Sequence, residues 1–162
     1  MPKIEMRGLD EYMQALSRLE LGTKEKVIGP AVYQGAKIAA DAIQSEITSI
    51  PVDNRFGTPS RPNNGINAIQ KAALHQSFGV TKMRNDNGLY NVKLGFDGYN
   101  SIKTRRWPKG QPNAMIARAL ERGTSWLKSY KFVKKAMSKA KTEALDAMQK
   151  AVDKGLAEIM RK

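Results

Sequence analysis

The last third of the chain sets the strongest limit on its fold. Between Ser129 and Arg161, Val133, Met137, Ala140, Ala144, Met148, Val152, Leu156 and Ile159 recur at three- and four-residue steps, the spacing of one apolar stripe on a helix. At 1.5 Å per residue such a helix spans roughly 45 Å, more than a small sheet can cover. Part of it must lie against another helix, and part is expected to project toward another subunit. The alanines in the stripe favour close approach of a partner helix.

Two earlier segments have the matching periodicity. Leu9, Tyr12, Met13, Leu16 and Leu19 place a first helix, started at Gly8 or Asp10 and stopped at Gly22. Val27, Ile28, Ala31, Val32, Ala39, Ile43 and Ile47 place a second, so that helices are expected within residues 9–48. Gly29-Pro30 makes the second either two pieces or one kinked helix, since proline removes a donor and crowds the preceding turn. Pro30 as the first helical residue is the simpler arrangement.

Residues 51–66 open with "PVDNRFGTPSRPNNG", with three prolines, two glycines and three asparagines, a long loop of the kind that is mobile or functional. "INAIQKAALHQS" is a short helical stretch. A hairpin is predicted over 76–97: "FGVTKMR" and "LYNVKLGF" flank Asn87-Gly88, and Tyr90, Val92, Leu94 and Phe96 alternate with Asn91, Lys93 and Gly95. A basic, aromatic loop covers 97–112. A short helix follows over 113–122, with Asn113 as its cap and Gly123 as its stop. The expected fold is a single α+β domain: a small antiparallel hairpin packed against two long helices, with long mobile loops.

Composition narrows the function classes. In 162 residues, 28 Lys and Arg stand against 15 Asp and Glu, a net charge of +13. That excess draws the chain toward an acidic partner, be it nucleic acid, an anionic protein or a headgroup layer. There is no cysteine, which removes disulfides, thiolate metal sites and a Cys nucleophile. "MPKIEMRGLDEY" has acidic residues and no apolar run, so no signal peptide is expected there. Nor does any stretch reach the ~20 apolar residues of a membrane span. A cytoplasmic protein, or one assembled there into something larger, is expected.

Reactive groups are sparse. His75 is the single histidine, so no multi-His metal site or relay can form; it reads as a hairpin or helix-end residue. No nucleophile elbow, phosphate loop or EF-hand spacing is present. Asp41, Glu46, Glu143, Asp146, Asp153 and Glu158 lie on helices among lysines, the pattern of a solvated face. No enzyme activity, metal or cofactor is expected.

The basic loops carry more information. Arg55 and Arg61 fall in the first, and Lys103, Arg105, Arg106 and Lys109 in the second, beside Tyr99 and Trp107. Arginine next to aromatics suits phosphate contact and base stacking, or docking on an acidic protein, or plain solvation. The lysines of the last helix (Lys134, Lys135, Lys139, Lys141, Lys150, Lys154) leave the same alternatives open.

The order of short motifs adds a resemblance. "GLDEYMQALSRL", an Ala-rich helix, "LHQSFGV", "NGLYNVKLGF" and "KGQPNAMIARALERGTSW...YKFVKKAM" cover most of the chain. Together they resemble the head-tail joining and tail-completion (neck) proteins of long-tailed bacteriophages. The densest match is "ARALERGTS" followed by "KFVKKAM", where Glu121, Gly123, Thr124, Phe132, Val133 and Ala136 hold the family's positions. Arg122 stands where relatives often have an aromatic, Lys131 where many have proline, and the 51–66 loop is longer.

The resemblance implies a non-enzymatic structural virion protein that needs no cofactor. It implies self-assembly into a ring, six subunits being the family-like number. The ring would bind connector or head-closure proteins and tail-terminator or tail-tube proteins. Genome DNA would pass non-specifically through its lumen, without membrane contact. Glu121, Arg122, Gly123, Thr124, Trp126, Tyr130 and Phe132 become interface candidates. Glu121 would pair across the ring or with its own last helix, and Trp126 and Phe132 would be anchors or core. Arg55, Arg61, Lys103, Arg105, Arg106 and Lys109 become candidates for facing DNA or an acidic partner. The competing expectation is a basic nucleic-acid-binding accessory protein of packaging or compaction.

Overall fold

The computed structural model of the protein describes residues 24–87 and 89–161. The helix expected within 9–22 lies outside the described residues. A π-helical turn, Lys24–Ile28, runs straight into α1, Gly29–Ser49. Ile28 is itself helical, so Gly29-Pro30 marks a change of hydrogen-bond pattern rather than a break. Pro30 has no N–H to return to the preceding turn, which coincides with the change from π- to α-helical bonding. α2 is Ala68–Ser77, β1 Phe78–Val80, β2 Arg84–Asp86, β3 Leu89–Asn91, β4 Leu94–Phe96, α3 Asn113–Arg122 and α4 Phe132–Met160. The architecture is α+β, as predicted.

α4 has 29 residues, about 43 Å of helix. It runs antiparallel to α1, a pairing marked by three contacts along its length. Near one end Lys139 reaches Glu46. In the middle the Gly35 backbone lies so close to Met148 that an added Cβ would sit 2.5 Å from its sulfur. Farther along, Gly155 is pressed equally tightly against Val27. The helix therefore has an intrachain partner along most of the length that was expected to project, and only its last turn runs past Gly155. Glu46, expected on a solvated face, is buried, and Lys139 supplies the countercharge.

The main core is concentrated at the α4 N-terminus. Ile43, Ile47 and Ile50 meet Leu74, Ile116, Leu120, Phe132 and Ala136 there, with Leu94 and Phe96 of the hairpin against them. Phe78, Phe96 and Phe132 stack in sequence, with ring centroids 5.2 and 6.0 Å apart.

The hairpin turns at Asn87, whose φ of 55° suits the tight turn the Asn-Gly pair predicts. Its two ladders are out of step. Phe78 pairs with Phe96 and Val80 with Leu94, whereas Arg84 pairs with Asn91 and Asp86 with Leu89. One extra residue on the first arm between them makes a bulge. The Thr81 hydroxyl fills in for a ladder carbonyl by accepting the Lys93 N–H at 3.0 Å.

α2 begins with a reciprocal cap: Asn67 accepts the Gln70 N–H and the Gln70 side chain accepts the Asn67 N–H. Lys71 donates to the carbonyls of Thr48 (2.7 Å) and Ile50 (2.8 Å), closing the C-terminus of α1. His75 shares a hydrogen bond of 3.1 Å with the Thr48 hydroxyl.

Candidate interaction surface

The segment between α3 and α4 is built from reciprocal caps. α3 ends at Gly123, whose φ of 78° is costly for a side-chain-bearing residue. The orphan carbonyls of α3 are taken up by residues just beyond it: Tyr130 and Lys131 N–H donate to Leu120 O, and the Ser129 hydroxyl donates to Glu121 O at 2.9 Å. In return the Glu121 carboxylate accepts the N–H groups of Val133 (2.9 Å) and Lys134 (3.1 Å). A carboxylate at a helix N-terminus satisfies orphan donors and opposes the macrodipole. Within the chain the partner of Glu121 is thus the backbone of its own last helix rather than a lysine side chain.

Lys131, at φ 54°, turns the chain into α4, which is why the helix starts at Phe132 rather than Ser129. Thr124 Oγ1 accepts from the N–H groups of Trp126 and Leu127 and shapes the turn. Tyr130 donates its hydroxyl proton to Ser49 O at 3.0 Å, with the Lys135 ammonium 3.6 Å above its ring. Phe132 is fully buried, which settles its core-or-anchor alternative as core. Arg122 is exposed, and Trp126 remains 55% exposed.

Asn113 does not cap α3; Pro112 holds the cap position and makes no side-chain bond. The Asn113 amide donates instead to Asp97 O at 2.9 Å, and its backbone N–H donates to Gly98 O. The residue is spent on closing the base of the second loop.

The first loop is tied down. Asp53 N–H donates to Ile66 O, Asn63 N–H to Trp126 O, and Lys128 N–H to Asn63 O, so Asn63 docks the loop on the 124–128 turn. Arg55 grips both Asp53 oxygens, at 2.8 and 2.7 Å. That guanidinium, with the Arg55 and Asn64 N–H groups, holds the Asp53 carboxyl far below the ordinary carboxylate range. The Arg55 guanidinium is thus paired inside the loop while its side chain stays half exposed. Arg61 is exposed, and its N–H closes a turn on Thr58.

The second loop is anchored only around its base. The buried Asn100 side chain accepts from Ile102 and Gln111 N–H, and Gln111 accepts from the Gln70 side chain at 2.8 Å. A Thr104–Trp107 turn forms the tip, with Arg106 5.6 Å from the Trp107 ring centroid. Lys103, Arg105, Arg106 and Lys109 are exposed.

Both loops and the turn wall a cleft of ≈ 310 Å³, lined by Arg55, Phe56, Ile102, Thr104, Trp126 and Leu127 among others. Phe56 is 99% exposed and Tyr99, in the second loop, 59%. The structure therefore joins Arg55 and Trp126 in one site, keeps the second-loop cations beside it, and turns Glu121, Tyr130 and Phe132 inward. Phe56 and the Asp53–Arg55 pair were missed from the sequence, though a Phe amid Asn, Gly and Pro is a readable anomaly. Among the described residues no helix is long and apolar enough to cross a membrane. No protein-family model, curated protein or solved structure matches the chain.

Proposed function

We propose that the protein is a structural subunit of the neck of a long-tailed phage. It forms a ring that joins the DNA-filled head to the tail and binds connector and tail-terminator or tail-tube neighbours in the virion. The reading rests on the motif resemblance, and one observation gives it a physical basis: exposed Phe56 and Trp126 at a cleft held open by backbone bonds. Large aromatics left in water on a pinned scaffold are suited to be interface anchors, since they bury much area at little entropic cost. Phe56→Ser and Trp126→Ala are expected to leave the monomer folded and abolish its incorporation into virions. Light scattering with the neighbour proteins would show no discrete complex. Normal incorporation of both variants would overturn the reading.

The second reading, a basic nucleic-acid-binding accessory protein, is favoured by the exposed second-loop cations beside Trp107. Neither reading calls for catalysis or a cofactor.

A further inference from the structure

Most of the net positive charge is concentrated in one part of the chain. Between residues 103 and 141 twelve Lys and Arg stand against a single carboxylate, Glu121, a net +11 of the chain's +13. All twelve are exposed. Glu121 is turned away into the α4 cap, and of these twelve only Lys139 has a carboxylate partner among the described residues. The block is more than the second loop. Arg118 and Arg122 lie one helical turn apart on the side of α3 opposite buried Ile116, Ala117 and Leu120. Lys134 and Lys141 lie on the side of α4 opposite buried Phe132, Ala136 and Ala140, with Lys135 on its flank over the Tyr130 ring. The reciprocal caps hold the end of one helix against the start of the other, so the two faces are joined by structure rather than by a flexible link.

We propose that the outward faces of α3 and of the first turns of α4 bind the phosphate backbone of duplex DNA, without regard to sequence. Protein interfaces are depleted of lysine and centred on large apolar side chains. Here the exposed residues of α3 are Ala114, Arg118 and Arg122, and lysine predominates across the 128–141 segment. That composition suits a charged polymer whose bound counterions are released on contact. The inference rests on the nucleic-acid reading of function and moves the contact from the loop to the helices.

The test uses the full chain, a short duplex of random sequence and a salt titration of affinity. Steep salt dependence is expected for the native protein. Replacing Arg118, Arg122, Lys134 and Lys141 together by Gln should flatten the log–log slope by about 3 to 4, at roughly 0.9 for each phosphate no longer neutralised. A matched variant with Arg84, Lys93, Lys150 and Lys154 replaced by Gln should keep the native slope, and circular dichroism would confirm that both fold. Equal flattening in the two variants would overturn the inference, leaving only diffuse net charge. If the slope depends instead on Lys103, Arg105, Arg106 and Lys109, the helical site falls while the nucleic-acid reading stands. Absence of duplex binding at low salt sinks both, and displacement of DNA by polyglutamate at equal charge would point to an acidic protein partner instead.

Discussion

The two long loops have similar compositions and opposite fates. In the first, Arg55 is held by Asp53 and the backbone is laced to the 124–128 turn through Asn63. The second is fastened around its base by Asn100, Gln111 and Asn113 and presents its cations outward at the tip. The difference shows that a loop charge is available to a partner only when no neighbouring carboxylate has already used it. The same contrast divides the α3–α4 junction, where Glu121 and Phe132 serve the fold while Arg122 and Trp126 face solvent.

That division can be tested by substitution, starting where the inward side is deepest. Phe132→Ala empties a fully buried site against Phe96 and Leu120, and should cost about 3–5 kcal/mol in denaturant unfolding. A loss below about 1 kcal/mol would mean the junction is not core. Glu121→Ala leaves two N–H groups of α4 without their acceptor. A loss of about 0.5–2 kcal/mol is expected for the isolated chain, so an assembly defect in this variant would not by itself identify an interface.

Asp53→Asn should speed amide exchange across residues 53–66 without changing exchange in the second loop. Acid should lower the protection of the same amides relative to their intrinsic exchange rates. Because the folded carboxyl titrates below its ordinary value of 3.8, its support is complete above that pH and fades as pH falls toward the lowered value. Protection relative to intrinsic exchange that survives protonation of the Asp53 carboxyl itself, followed by its NMR shift, would remove Asp53 as the clasp. The smallest effect is expected at the second-loop tip, where Arg106→Ala should change stability by less than about 0.5 kcal/mol. A larger loss would show that this loop, too, spends its charge internally.

Much of the fold was legible. The helical stripes located α1 and α4, Gly123 located the end of α3, and Asn87-Gly88 located the hairpin turn, because each is a local pattern of one period or one backbone conformation. The Asn67–Gln70 cap went unread, although Asn followed three residues later by Gln is a local signature. The candidate site was legible only in part. Trp126 and the second-loop cations stand out as residue types; Asp53 two residues before Arg55 was a local signal that went unread, and the docking of the loop that makes Phe56 a wall of the cleft depends on distant residues.

By itself the sequence determined which faces are apolar, where the chain must turn, and that the positive charge accumulates between residues 103 and 141. Those properties belong to residues within a few turns of one another. Only tertiary structure decided that Glu121 closes α4 twelve residues away, that Tyr130 reaches Ser49 across 81 positions, and that Asn63 docks a loop on the turn beside Trp126. A hydrogen bond between distant residues leaves no spacing to read, since its partners are fixed by how the helices pack.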